Sequence, residues 1–451
     1  MTERRPQPII LLCAAYAVLL SIAAFSIPLR IPEILALAGA RQLAPHGLLG
    51  WIAQSPELAP LFYIFQWPVA LAIDNFRIGA RLLPLAFAVG ACYGFFHLAK
   101  QIPLPQPHRV LIVFMLLPMH MAVAIEGRPF EQSLLLLIVA TILFLRLVRQ
   151  PARAAAAWYA AALTLCLYTY PYSYLPAIGY ALFLFRFVNR AQERKAMWHT
   201  LAATVAPVVL YLPYYFWAKP QVSAGWFSEN PALDSGPSAM VLVVASILAA
   251  GTIGGAVASW RLKTASVSKR IGLFSLVGGV AATLAIVGIV DNLAGQPLRS
   301  THLLGAAPAA TLLLFATFEW ASKQRRIAVM VPVLAALVAI ACAAADAALL
   351  TRRQESLHAQ ATAILPELQN DACVVFVSQQ LSEPMFLLFE PRLARYQCLN
   401  FAHRRIVLAS HPYVRADQQQ DAEAYFHALN FQEAKRVRAG GGQVLVLDQS
   451  R

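Results

Sequence analysis

Charge is scarce in this sequence. Only 13% of its 451 residues are charged, 59% are hydrophobic, and the mean hydropathy is +0.59. That scarcity excludes an ordinary soluble globule. Acids are scarcer still, with 22 Asp and Glu against 36 Lys and Arg. The resulting +14 could suggest a nucleic-acid partner, but the excess sits in short loops beside apolar runs, where it acts as a topogenic signal. No nucleic-acid binding is expected.

Other absences narrow the field. There is no Cys-x-x-Cys and no Cys/His cluster with metal spacing. Cys13, Cys92, Cys166 and Cys342 fall in apolar runs and read as small hydrophobes, whereas Cys373 and Cys398 lie in a polar tail where a disulfide is open to them. No small-residue cleavage site follows the first apolar run, which reads as a retained helix. Gly440-Gly-Gly442 is followed by no helix and no Lys-Ser/Thr pair, so it is a turn and not a phosphate loop. Ordered acids within the apolar runs are missing, Asp346 being the main exception, and no inverted repeat is visible. Both absences weigh against an ion-coupled transporter.

What remains is about eleven apolar stretches of spanning length, read as an all-α polytopic membrane bundle over residues 1–350. Arg4 and Arg5 place the N-terminus in the cytoplasm before a first span at 8–28. Residues 30–78 mix Glu33, Arg41, Glu57 and Asp74 with Trp51, Tyr63 and Trp67, a composition suited to interfacial helices on the outer face. Later spans are read at 80–98, 110–125, 132–147, 154–170, 175–188, 200–217, 238–258, 271–290, 301–319 and 327–350. Basic residues collect in alternate loops, and counting 60–73 as a further span would put those clusters outside. From residue 351 the composition becomes that of a small soluble α/β domain, expected outside the cytoplasm. Its predicted elements are a helix at 354–369, strands at 373–378, 396–401 and 405–410, a helix at 417–429, and a hairpin of 434–438 with 443–448.

Several residues could carry chemistry. Glu33 at a membrane mouth could act as a general base, or be a first-turn acid on an amphipathic helix. Arg128, in the loop Glu126-Gly-Arg-Pro-Phe-Glu131, could hold a phosphate through its planar guanidinium, or anchor a headgroup. Arg81, Arg299 and His302 near helix ends carry the same two readings. The aromatic stretch Tyr168–Tyr174 reads most simply as an interfacial belt.

In order and spacing, residues 1–320 resemble the GT-C membrane glycosyltransferases of the protein O-mannosyltransferase and aminoarabinose transferase type. Pro32-Glu33 with Ala40-Arg41 is similar to that family's Asp-Glu pair and following Ala-Arg. Ala59-Pro-Leu-Phe-Tyr63 resembles its His-Pro-Pro-Leu-Tyr-Tyr step, and Arg81-Leu-Leu-Pro84 its Arg-headed span. Glu126-Gly-Arg-Pro-Phe130 resembles its Glu-Ala-Arg-Pro-Tyr loop, and Thr301-His-Leu-Leu-Gly305 loosely echoes a late Arg-Tyr-Leu-Leu-Pro start. Pro32 stands where the family has its catalytic Asp, and no His precedes Pro60.

The resemblance implies transfer of a sugar, with inversion, from a polyprenyl-phosphate donor to a glycan, lipid or protein acceptor at the outer face of the inner (plasma) membrane. Glu33 would then be the base. Arg128 with Arg81, Arg299, His302 and Glu126 would handle the lipid phosphate, and loops bearing Tyr63, Glu57 and Trp226 would cover the site. The tail would help select the acceptor. No cofactor is required, although some relatives use a divalent metal. A transporter or lipid flippase, or a non-catalytic accessory protein of envelope assembly, is the alternative.

Overall fold

A computed structural model describes residues 8–26, 60–73, 75–102, 107–115, 117–125, 127–185, 191–223, 267–293, 300–322, 362–368, 372–376, 405–410, 416–439 and 442–449, with isolated positions at 40, 252, 253 and 256. Most described residues are helical, and four helices are long and apolar enough to cross a membrane. The chain forms two compact units.

The helical unit opens with α1 (Pro8–Ser26), α2 (Pro60–Ala72) and α3 (Phe76–Gln101). At ~1.5 Å per residue, the 19 residues of α1 and 26 of α3 reach across a hydrocarbon core, but the 13 of α2 do not. α2 is nonetheless apolar and has a buried face, with Phe62, Tyr63, Gln66 and Ala70 turned inward. Gln66 Nε2 donates to the Gly79 carbonyl at 2.6 Å, tying α2 to the start of α3.

The stretch read as one span at 110–125 is two helices, α4 (Pro107–Met115) and α5 (Pro118–Ala124). The physical cause is Pro118, which lacks an N–H and forces its predecessor out of the helical region. Leu117 is accordingly extended, at φ −61° and ψ 122°.

Next come α6 (Phe130–Arg149) and α7 (Arg153–Thr169), joined by a short link and packed together. Pro171–Tyr174 forms a 3-10 turn that leads into α8 (Leu175–Leu184), and α9 (Ala191–Ser223) packs against α7 and α8. α10 (Val267–Leu293) lies against α8 at a crossing made of glycines. A Cβ on Gly179 would run into the Gly278 carbonyl, and one on Gly279 would run into the Tyr180 ring. Small residues are what let two helices approach this closely within a membrane. A second 3-10 segment, Ser300–Ala306, precedes α11 (Ala307–Ser322).

The second unit holds a four-stranded mixed sheet in the order β1-β2-β4-β3. β1 (Ala372–Phe376) runs parallel to β2 (Arg405–Ser410), and β4 (Gly442–Gln449) runs antiparallel to β2 and to β3 (Phe431–Ala439). Alternation along the strands gives the sheet two apolar faces. Val374, Val407, Ala409 and Val444 meet Ile364 and Leu368 on one side. Ile406, Leu408, Leu445 and Leu447 meet Phe426 of α12 (Ala416–Ala428) on the other. Asn430, at φ 66°, makes the turn from α12 into β3, a left-handed position that Asn tolerates. Cys373 is disulfide-bonded, and the expected pairing with Cys398 lies outside the described residues.

Candidate functional site

The ends of several helices gather at one end of the helical unit. Arg81, in the second turn of α3, is 1% exposed and donates from Nη1 to the carbonyl of Ala24 in the last turn of α1. A guanidinium suits that position, since the last carbonyls of a helix lack partners and carry the negative end of its dipole. One residue earlier, the carbonyl of Ala80 touches the loop after α5. A Cβ on Gly127 would stand 2.8 Å from that oxygen. The loop can therefore approach α3 only because residue 127 is glycine.

Arg128 is the next residue. Its guanidinium lies 4.6 Å above the centre of the Phe130 ring, and that ring meets Tyr170 edge-on at 5.1 Å. Tyr170 in turn meets Tyr172 at 5.5 Å. The backbone of Tyr172 and Ser173 comes close to Gly305, where a Cβ would sit 3.2 Å from the Tyr172 oxygen. The second 3-10 segment, which carries His302, is thereby joined to the same end. Arginine, a run of aromatic rings and two 3-10 turns thus meet over Ala80–Arg81. Such an arrangement can bind a phosphate beside an apolar or sugar face.

Two tyrosines of the stretch Tyr168–Tyr174 tie helices together. Tyr168 donates to the Leu210 carbonyl at 3.1 Å, whereas Tyr174 is buried and donates to the Thr204 carbonyl. Together the bonds pin the last turn of α7 and the 3-10 turn that follows it onto α9.

Immediately below Phe130 is a feature the sequence did not reveal. Glu131, Gln132 and Ser133 open α6, and all three are buried. Glu131 occupies the first turn, where unpaired N–H groups and the helix dipole favour a negative charge. Its Oε2 lies 3.4 Å from Nε2 of His120 on α5, and both side chains are 0% exposed. His120 Nδ1 is 2.9 Å from the Tyr16 hydroxyl on α1. The phenylalanine rings close the imidazole off, with Phe114 at 4.5 Å and Phe95 stacked behind it at 4.0 Å. Glu131 thus adds a buried acid to those read in the apolar runs, where Asp346, the main exception in the sequence, lies outside the described residues. In the sequence Glu131 looks like the end of a polar loop, and only the rotation of α6 turns it inward.

The sequence-derived residues fall as follows. Arg81 and Arg128 come to one end of the unit, as does the backbone of His302. Tyr63, expected in a covering loop, is on the buried face of α2. Glu33, Glu57, Glu126, Trp226 and Arg299 lie outside the described residues. Among the described residues no group of three or more His, Cys, Asp or Glu side chains could hold a metal ion. No family model matches the chain, and no curated protein matches it significantly.

Proposed function

We propose that this protein is a polytopic membrane glycosyltransferase of about eleven spans. It moves a sugar from a polyprenyl-phosphate carrier to a hydroxyl acceptor on the extracytoplasmic face of the inner membrane. One observation carries the reading: segments spread over more than two hundred residues, at Ala80–Arg81, Gly127–Phe130, Tyr170–Tyr174 and Ser300–Ala306, meet at one end of the helical unit. Those are the segments that carry most of the GT-C resemblance, together with the aromatic stretch. Cys373, bonded in a disulfide, supports a tail on the oxidising side of the membrane.

In this reading Arg128 binds the carrier phosphate and stabilises the charge that grows on it as the glycosidic bond breaks. The rings of Phe130, Tyr170 and Tyr172 flank the sugar or the first isoprene units. Glu33 takes the acceptor proton as the new bond forms on the opposite face of the sugar. Arg81, which caps α1, holds the end of α3 in place.

The test is transfer of labelled sugar from a polyprenyl-phosphate donor by the purified full-length protein. Arg128→Ala is expected to lose about 100-fold or more in kcat/KM, and Glu33→Gln a similar factor, with both variants still folded. Transfer unaffected by Glu33→Gln removes that residue from the base role.

The buried His120–Glu131 pair favours a second reading, a transporter or lipid flippase, since ionisable pairs inside a bundle commonly mark substrate or ion pathways. Movement of a polyprenyl-phosphate lipid across vesicles containing the protein, with no sugar transferred, would favour it over the first.

A further inference from the structure

We infer that Tyr16, His120 and Glu131 form one proton-binding site inside the helical unit. The transfer reading does not use it. The three residues come from α1, α5 and α6, and they stand in line: hydroxyl to Nδ1 at 2.9 Å, then Nε2 to carboxylate at 3.4 Å. Among the described residues neither carboxylate oxygen of Glu131 has a hydrogen-bond partner, and Nε2 of His120 has none closer.

The chemistry of that line is restrictive. A neutral imidazole with its hydrogen on Nδ1, on the side of the Tyr16 hydroxyl, leaves the Nε2 lone pair on the side of Glu131, 3.4 Å from its Oε2. Two arrangements then keep the pair neutral. Either Glu131 holds a proton beside a neutral imidazole, or the proton moves to the ring and leaves an imidazolium beside a carboxylate. Removing that proton altogether strands a negative charge among Phe114, Phe95 and apolar helix faces, which is costly without compensation. The pair therefore carries one exchangeable proton as a unit.

Among the described residues, the ionisable groups recorded around the pair carry no fixed positive charge. α1 contributes Tyr16 and Cys13, α3 contributes Cys92, and α6 contributes Glu131 itself. His108 on α4 lies against Phe96, with the rings tilted at 40° and their centres 4.8 Å apart. The 3-10 segment packed on α5 carries His302, whose side chain is not described. A permanently charged partner would have made this a static ion pair, whereas a titratable one makes it a site that fills and empties. The site also lies next to the arginine end, because Glu131 directly follows Phe130, the residue whose ring Arg128 covers. An anion arriving there favours a filled proton site below it.

pH-difference infrared spectroscopy of the full-length protein in lipid nanodiscs tests this without any donor or acceptor. The result is therefore independent of the transfer reading. The expected signal is the C=O stretch of a buried carboxylic acid that titrates, disappears in Glu131→Gln, and shifts its midpoint by roughly one pH unit or more in Tyr16→Phe and His120→Gln. Tyr16→Phe keeps the ring and loses one hydroxyl, so it preserves packing where the Glu131 variant fails to fold. Absence of a titrating band, a band that survives Glu131→Gln, or midpoints unmoved in both other variants overturns the inference.

Discussion

Gly127 has no side chain because the Ala80 carbonyl occupies the space one would need. The motif it resembles has alanine at this position, and an added Cβ here would lie 2.8 Å from that backbone oxygen. A backbone atom in a helix cannot swing aside as the tip of a side chain can. Gly127→Ala is therefore expected to cost about 1–3 kcal/mol, read as a lower melting temperature of the purified protein. Arg128 should move with the loop. Arg128→Lys is the sharper probe of its role, since it keeps the charge but loses the flat face over Phe130 and the two-pronged grip on a phosphate. Its expected signature is a raised KM for the phosphate-bearing donor, whereas a residue serving only as a headgroup anchor would tolerate the change.

At the level of helices, the crossing of α8 and α10 separates two kinds of glycine. Gly179→Ala drives a methyl group into the Gly278 backbone and is expected to lower the thermal stability of the helical unit. Gly288→Ala on the same α10 meets nothing within 4 Å and is expected to cost nothing, or to add up to about 1 kcal/mol through helix propensity. Melting curves of the two variants side by side check the contrast. Among the described residues, several elements were legible. Residues 405–410, a short apolar run rich in Ile and Val, form the strand expected there, and the hairpin around Gly440–Gly442 was announced by the glycines. The break between α4 and α5 could also have been read, because Pro118 marks it. The inward turn of Glu131 could not. Periodicity reports which face of a helix is apolar, and α6 is apolar nearly all round, so one polar first turn gives no sign of whether it points to water or to a histidine on another helix.

For the molecule as a whole, the two units answer pH differently. In the tail unit Arg436 bonds Glu433 at 2.8 Å and Glu423 at 3.0 Å, and it holds the Glu433 carboxyl below its ordinary value. A carboxylate depressed in the folded state stabilises fully above its unfolded value of about 4.3 and loses that contribution as pH falls through the lower folded one. Glu433→Gln should therefore be more easily proteolysed in the tail than wild type at neutral pH, with the gap closing as pH falls below the carboxylate range. Arg405 and Asp448 are joined at 2.7 and 3.0 Å across β2 and β4. The helical unit instead buries a histidine and a carboxylate side by side, His120 and Glu131.

The two capping arginines bear on how that unit is made. Arg81 reaches a carbonyl 57 residues behind it in the chain, and Arg149 reaches the Gln101 carbonyl 48 residues behind. Each cation thus emerges from the ribosome after the helix whose open end it closes. Both arginines find their acceptor on a helix already synthesised. Biogenesis of this bundle can therefore run in chain order, with a ribosome paused before Arg81 holding an α1 whose last turn still lacks that seal.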